Sequence, residues 1–309
     1  MESPRELVDR ALQGQQRAVA RLISLVESGS EDLPEVAALL APHTGRAQVV
    51  GLTGSPGVGK STTTSALVSA FRAAGKRVGV LAVDPSSPFS GGALLGDRVR
   101  MGDHALDEGV FIRSMATRGH LGGLAWATPQ ALRVLDAAGC DVVLVETVGV
   151  GQSEIDVVSL ADTTVVLLAP GMGDGVQAAK AGILEIADVF VVNKADRDGA
   201  AQTVRDLRYM MSLGSRHDDW KPPVCRTVAA RGEGIDEVAK AIDEHRAWLE
   251  SSGEGARRRR RRAEAEIEAI ALEKVRVRLD SAGVARFADA VVSGELDPYA
   301  AADRLLTSL

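Results

Sequence analysis

The chain has 309 residues, of which 45% are hydrophobic and 25% charged, and its formal net charge is -6. A chain of this length can bury a large core, and one α/β domain with helical additions is enough to account for it. The moderately acidic balance gives no indication of a nucleic-acid or membrane surface, so we expect neither among its partners.

Two features indicate a cytoplasmic protein. The charged amino terminus lacks the apolar region of a signal peptide, and no apolar run is long enough to span a bilayer. The two cysteines, Cys140 and Cys225, stand in apolar, strand-like stretches. We expect both to be buried free thiols, which suits a reducing compartment.

Residues 1–43 are expected to form a helical extension. Apolar residues between Leu7 and Val26 recur at roughly helical spacing, and Gly29 is expected to end that helix. A second helix is predicted over Leu33–Leu40.

Residues 44–250 alternate short apolar runs with helical stretches. The runs are rich in Val and Leu with little polar alternation, which is typical of strands buried on both faces. Strands interleaved with helices predict crossover connections and a mostly parallel sheet flanked by helices, an α/β fold. The seven predicted strands are Val49–Thr53, Val78–Val83, Val110–Ser114, Val142–Glu146, Thr164–Ala169, Val189–Asn193 and Val224–Val228.

Residues 251–309 form the third part of the chain. Ser251–Ala256 is interpreted as a flexible linker, and a helical tail is expected from there to Leu309. The six-arginine run Arg257–Arg262 suits a solvated helix start, and the alternative is electrostatic docking to an acidic partner or an acyl-CoA phosphate. In the tail, apolar residues are expected to make core or dimer contacts: Val284, Phe287, Val291 and Leu296.

The strongest motif is Gly54–Ser61, which matches the phosphate-loop pattern G-x-x-x-x-G-K-[ST]. An apolar strand precedes it, and a helix is predicted after it over Thr62–Ala74. Glycines let backbone N–H groups turn toward phosphates, and a helix N-terminus favours their negative charge. We expect Lys60 to reach the β- and γ-phosphates and Ser61 to bind Mg²⁺. The nucleotide-binding residues predicted here are Gly54, Ser55, Pro56, Gly57, Val58, Gly59, Lys60, Ser61 and Thr62.

A second motif, Asn193-Lys194-Ala195-Asp196, directly follows a predicted strand. A carboxylate at Asp196 can accept hydrogen bonds from the N1–H and 2-amino groups of guanine. Adenine offers neither donor there, so the carboxylate would be left unpaired. The motif predicts selection of GTP and GDP, and Ala229 is the expected backbone contact to the guanine O6.

Acidic residues end strands between these motifs. Asp84 ends the second strand, Glu146 ends the fourth, and Asp97 lies in a glycine-rich loop. Because parallel strands end at one edge of the sheet, we expect these carboxylates beside the phosphate loop, holding Mg²⁺ directly or through water. Gly149 has the position of a glycine whose N–H senses the γ-phosphate.

Several stretches together resemble the MeaB/ArgK family of SIMIBI-class GTPases, which includes the methylmalonic aciduria type A protein. They are TGSPGVGKS at Thr53–Ser61, DPSSPFS at Asp84–Ser90, GGALLGDRVRM at Gly91–Met101, RGHLGG at Arg118–Gly123, ETVGVGQSE at Glu146–Glu154 and NKAD at Asn193–Asp196. The resemblance covers nearly the whole chain.

This resemblance implies a chaperone of adenosylcobalamin-dependent acyl-CoA mutases, chiefly methylmalonyl-CoA mutase, that uses GTP hydrolysis to gate cofactor loading and to protect or reactivate the mutase. It implies a homodimer joined through the C-terminal extension. It also implies a catalytic and Mg²⁺ set of Lys60, Asp84, Asp97 and Glu146, and a third switch with Asp174, Gln177 and Lys180. This chain departs from the family at Val99, where Thr is usual, and at Gly175, where an acidic residue is common.

Three other functions fit a P-loop protein of this class. A nickel-type metallochaperone would need a Cys/His delivery cluster, which the sequence lacks. A small-molecule or protein kinase would need an acceptor for the γ-phosphate, and the guanine motif argues against ATP as the donor. A catalytically silent scaffold is disfavoured by the intact Lys60, Ser61 and Glu146.

Overall fold

The structure, a computed structural model of the chain, describes residues 2–84, 101–104, 106–116, 127–147, 159–171, 184–213, 219–281 and 283–307. Two compact units are present, Met1–Ala256 and Arg257–Leu309. The first contains the sheet and the amino-terminal helices, so the predicted 1–43 extension packs as part of that unit.

A seven-stranded sheet forms the centre of the first unit, with strand order β3-β2-β4-β1-β5-β6-β7. Every neighbouring pair is parallel. Each strand falls on a run predicted from the sequence, and the expected α/β class is confirmed. The strands are β1 Gln48–Thr53, β2 Val78–Asp84, β3 Val110–Ala116, β4 Val142–Thr147, β5 Thr163–Leu168, β6 Val189–Val192 and β7 Val224–Arg226.

The sheet is covered by helices on both faces because successive side chains of a strand point to opposite sides. In β4, Val143 and Val145 join a core with the amino-terminal helices, whereas Val142 and Leu144 join a core on the other face. In the described part of the first unit the α-helices are α1 Pro4–Leu12, α2 Gln16–Ser28, α3 Leu33–Leu40, α4 Lys60–Ala73, α5 Ala127–Ala137, α6 Leu184–Ile186, α7 Ala200–Leu213 and α8 Ile235–Ser251.

The amino-terminal extension differs from the prediction at one point. Instead of one helix up to Gly29, α1 ends at Leu12 and α2 begins at Gln16. Gly14 lies between them with φ +74°, and a Cβ there would stand 2.6 Å from Nη2 of Arg77. The break brings backbone close to that side chain, which helical spacing alone does not reveal. The predicted end at Gly29 and the helix Leu33–Leu40 are confirmed.

The predicted flexible linker Ser251–Ala256 is largely helical. α8 continues to Ser251 and α9 begins at Glu254, so only Ser252 and Gly253 separate them. The cause is local: Glu254, Ala256 and the arginines that follow all favour helix. The arginine run therefore lies within α9, Glu254–Ser281, where its side chains are exposed or half-buried, as expected of a solvated helix start.

The second unit also contains α10, Val284–Val292, and α11, Pro298–Thr307. Val284 is 40% exposed, and Phe287, Val291 and Leu296 are half-buried, so none of these four residues is enclosed in a core. Larger exposures occur at Val292, with 89%, and Tyr299, with 85%.

Both cysteines are buried and free, as predicted. Burial raises the pKa of the Cys140 thiol to about 12 and that of Cys225 to about 11. Among the helices of the described ranges, none combines the length and apolarity that a bilayer crossing requires.

A buried polar cluster lies at the amino ends of the strands, the edge opposite to the predicted phosphate loop. Asp188 and His245 are almost fully buried, and Oδ1 of Asp188 lies 3.3 Å from Nε2 of His245. Nδ1 of His245 hydrogen-bonds Oγ1 of Thr163 at 2.9 Å. The rings of His245, Trp220 and Trp248 all pack against one another, with centroid distances of 4.8, 5.5 and 5.6 Å. No motif in the sequence singles out this histidine.

Candidate nucleotide site

The phosphate loop connects β1, which ends at Thr53, to α4, which begins at Lys60. Three of its glycines have positive φ: +145° at Gly54, +81° at Gly57 and +98° at Gly59. A Cβ at Gly54 would lie 2.3 Å from the carbonyl oxygen of Leu167, and one at Gly59 would lie 2.4 Å from Nδ2 of Asn193. Both positions therefore require glycine on grounds of space as well as conformation.

Lys60 turns back into the loop. It is 7% exposed, and its Nζ donates to the carbonyl oxygens of Gly54 at 2.6 Å and Ser55 at 3.3 Å. The ammonium group thus lies within the loop whose backbone N–H groups and helix N-terminus favour phosphate.

Ser61 and Glu146, predicted from separate motifs, are in contact. The hydroxyl of Ser61 donates to Oε1 of Glu146 at 2.5 Å, and Glu146 is 2% exposed. A hydroxyl and a carboxylate are the hard oxygen ligands that Mg²⁺ accepts, so this pair fits that ion. Asp84 ends β2, whose Ala82 pairs with Glu146 in the sheet, but only its backbone is described.

Asn193 links the motif Asn193–Asp196, here called the base motif, to the phosphate loop. Its Nδ2 donates to the carbonyl oxygen of Val58 at 2.8 Å, while its Oδ1 accepts from Oγ1 of Thr227 and from the N–H of Ala229, both at 3.1 Å. The N–H of Ala229, expected at the guanine O6, therefore donates to Asn193 in this structure. Three loops at the carboxyl edge of the sheet are held together by one amide side chain.

Lys194 adds a second link between these loops. It is the one non-glycine residue with positive φ among the described residues, at +55°, and its Nζ donates to the carbonyl oxygen of Gly57 at 2.6 Å. The base motif and the phosphate loop are thus connected by two adjacent side chains.

The carboxylate of Asp196 faces Arg231, a residue that no sequence motif predicts. Its Oδ2 lies 2.9 Å from Nη2 of Arg231, and the side chain of Asp196 is 46% exposed. Arg231 stands two residues after Ala229, in the same loop, and only that spacing could have drawn attention to it.

The remaining predicted site residues lie outside the residues that the structure describes. They are Asp97, Gly149, Asp174, Gln177 and Lys180, and the departures at Val99 and Gly175 fall there as well. In the described part, the phosphate loop follows β1, Asn193 follows β6 and Glu146 lies at the carboxyl end of β4, so these three meet at one edge of the sheet.

Comparisons with known proteins agree with this geometry. The profile of the family described as methylmalonyl Co-A mutase-associated GTPase MeaB matches residues 19–283. A protein of Pyrococcus abyssi is 50% identical over 98% of this chain and 96% of its own length. The mouse methylmalonic aciduria type A homolog, a mitochondrial protein, is 36% identical over 96% of this chain and 77% of its own length.

A solved structure has a similar fold. The crystal structure of an LAO/AO transport system kinase has a TM-score of 0.73 and 29% identity, and the match covers 98% of this chain and 96% of that one. With a phosphate loop between β1 and α4 and a guanine motif after β6, the chain belongs to the MeaB family of methylmalonyl-CoA mutase-associated GTPases, and it is a P-loop GTP hydrolase of the SIMIBI class.

Proposed function

We propose that this chain uses GTP hydrolysis to gate the loading of adenosylcobalamin into an acyl-CoA mutase and to protect or reactivate that mutase. Methylmalonyl-CoA mutase is the proposed client. The observation that carries this proposal is the match of residues 19–283 to a family described as mutase-associated. A cytoplasmic location and the absence of nucleic-acid and membrane partners belong to the same proposal.

In the proposed hydrolytic site, Lys60 contacts the β- and γ-phosphates. Ser61 and Glu146, which are already in contact, hold Mg²⁺ together with Asp84 and Asp97, directly or through water. The metal ion, when bound, neutralises charge on the phosphate oxygens. The backbone N–H of Gly149 would sense whether the γ-phosphate is present.

In the proposed base site, Asp196 accepts from N1–H and the 2-amino group of guanine. The backbone N–H of Ala229 contacts the guanine O6, which requires it to share or exchange its present acceptor on Asn193. Because Asn193 and Lys194 also contact the phosphate loop, base binding and phosphate binding would stabilise the same arrangement of loops.

The proposed coupling to the client runs through the third switch, with Asp174, Gln177 and Lys180. The protein would act as a homodimer joined through its C-terminal helices. The exposed apolar residues of α10 and α11 support this, since a helix surface of that kind is normally covered by a partner.

The experiment measures the GTP hydrolysis rate of the purified chain with and without each acyl-CoA mutase of its host, and measures co-elution with GDP or a GTP analogue. We expect one mutase to raise the rate and to bind in a nucleotide-dependent way. Lys60→Ala serves as the control that reports hydrolysis by contaminants. If no mutase stimulates hydrolysis or binds, the chaperone role is wrong.

A further inference from the structure

Arg231 lies on a turn whose backbone is fixed on both sides. The turn Ala229–Arg231 follows β7, and the N–H of Arg231 donates to the carbonyl oxygen of Val228 at 2.8 Å. The N–H of Val228 donates in turn to the carbonyl oxygen of Glu233 at 3.0 Å. Gly234 passes so close to β7 that a Cβ there would stand 2.1 Å from the carbonyl oxygen of Arg226.

The guanidinium group of Arg231 lies between two carboxylates. Its Nη2 is 2.9 Å from Oδ2 of Asp196, and its Nε is 3.3 Å from Oε1 of Glu233. An arginine held on two edges by acids has less freedom to leave its position than one with a single partner. Glu233 therefore restrains the arginine that contacts the base-reading acid.

The backbone of Asp196 is restrained as well. The N–H of Ala195 donates to the carbonyl oxygen of Thr227, and the N–H of Arg197 donates to that of Lys194, both at 3.0 Å. These backbone bonds leave the side-chain torsion angles of Asp196 free. The ion pair with Arg231 restrains those angles. Within the described residues, Arg231 is the contact recorded for this carboxylate.

The ion pair leaves room for a base. A carboxylate offers about four acceptor positions, and the contact to Arg231 is recorded at Oδ2 alone. Guanine would need one acceptor position on each oxygen.

We propose that Arg231 is a positioning residue that orients Asp196 toward guanine, and thereby a determinant of guanine specificity. The proposal rests on the proposed role of Asp196 as the base-reading acid. Removing Arg231 would let the carboxylate rotate freely, so that binding would have to restrict it again. Guanine uses both hydrogen bonds and would lose more than hypoxanthine, which lacks the 2-amino group.

The test compares GDP with IDP by calorimetric titration of wild type, Arg231→Ala and Arg246→Ala. Arg246 is a matched control, an arginine with a 41% exposed side chain whose Nε lies 3.1 Å from Oε1 of Glu250 on α8. We expect Arg231→Ala to weaken GDP binding about fivefold and IDP binding less than about twofold, as fits an exposed ion pair. Arg246→Ala should change neither affinity.

A second experiment tests whether Arg231 acts by orienting the carboxylate of Asp196 or by stabilising the loop in general. In an Asp196→Asn background, titrated with XDP, Arg231→Ala should change the affinity by less than about twofold, because the charge it pairs with is gone. The proposal would be overturned if Arg231→Ala weakened GDP and IDP binding equally or tightened GDP binding. It would also be overturned if Arg231→Ala weakened XDP binding in the Asp196→Asn background as much as it weakens GDP binding in the wild type.

Titration of the wild type with ADP reports on the base site itself. Comparable affinities for ADP and GDP would remove the role of Asp196 and the proposal for Arg231 with it. None of these measurements involves a mutase, so failure of the chaperone role would leave the result for Arg231 standing.

Discussion

At Gly59 the phosphate loop passes close to the side chain of Asn193. We expect Gly59→Ala to weaken GDP binding by at least about tenfold, because its Cβ would fall 2.4 Å from Nδ2 of Asn193 and displace the bond to Val58. Gly75→Ala is the matched control, since Gly75 has φ +76° and a Cβ there would meet nothing within 4 Å.

Calorimetric titration and urea unfolding of both variants check this expectation. Gly75→Ala should retain its affinity and lose about 1 kcal/mol of stability, the cost of a left-handed conformation for alanine. Equal GDP affinity in the two variants would contradict the close approach between Gly59 and Asn193.

A substitution at Glu146 should lower GTP turnover more than it lowers nucleotide affinity. We expect Glu146→Gln to lower the turnover of GTP about 100-fold, because an amide cannot supply the charge that orients a metal-bound or attacking water. GDP affinity should fall far less than in Lys60→Ala, which removes the positive charge at the phosphates. Steady-state hydrolysis with measured GDP affinity separates the two, and wild-type turnover in Glu146→Gln would refute the role.

At this scale the sequence predicts residues whose chemistry is tied to a motif. Lys60, Ser61 and Asn193 were identified because a strand precedes each motif and the spacing is fixed. Arg231 belongs to no motif, and its contact with Asp196 depends on how two loops meet in space. The bond from the N–H of Ala229 to Oδ1 of Asn193 could not be predicted from the sequence either, because it depends on the rotamer of Asn193.

The buried contacts of Asp188 connect the start of β6 to α8 and β5. Its Oδ2 accepts from the N–H of Thr164 at 2.9 Å, and its Oδ1 faces His245. We expect Asp188→Ala to lower the free energy of unfolding by about 3 kcal/mol, because buried donors would lose their acceptor. Urea unfolding measures the change.

Asp243→Ala on α8 is the matched control for that measurement. Asp243 is 51% exposed and pairs with Lys76 at 2.8 Å. A surface pair of this kind contributes about 0–1 kcal/mol. Similar losses in the two variants would show that the buried cluster does not stabilise the sheet as its burial implies.

At the level of elements, periodicity and composition predicted all seven strands. Strands buried on both faces carry a strong signal, since nearly every side chain must be apolar. The break between α1 and α2 escaped prediction because apolar spacing continues across Gly14, and the turn depends on a distant side chain, Arg77. The helical start at Glu254 was obscured by the small residues before it.

For the whole molecule, the proposed homodimer makes a prediction about mass. We expect light scattering after size-exclusion chromatography to give twice the chain mass of 32.4 kDa. Val292→Glu should lower it toward one chain, because Val292 is 89% exposed and a charge there would be desolvated in an interface. Ala201→Glu in α7, an exposed position outside the C-terminal helices, reports whether any added charge has the same effect.

A monomeric wild type would contradict the dimer, and an unchanged dimer in Val292→Glu would place the contact elsewhere. Sequence could suggest the tail as an interface but could not decide between core and dimer contacts, since apolar spacing on a helix is the same for both. Val284 is 40% exposed and Phe287, Val291 and Leu296 are half-buried, so a core enclosed within one chain does not account for them.

We propose that Asp196 recognises guanine beside a working phosphate loop. The ratio of GTP to XTP turnover in wild type and in Asp196→Asn tests this recognition. We expect the wild type to prefer GTP and the variant to prefer XTP, because the amide can donate to the 2-oxo group of xanthine. An unchanged preference for GTP in the variant would show that Asp196 does not select the base.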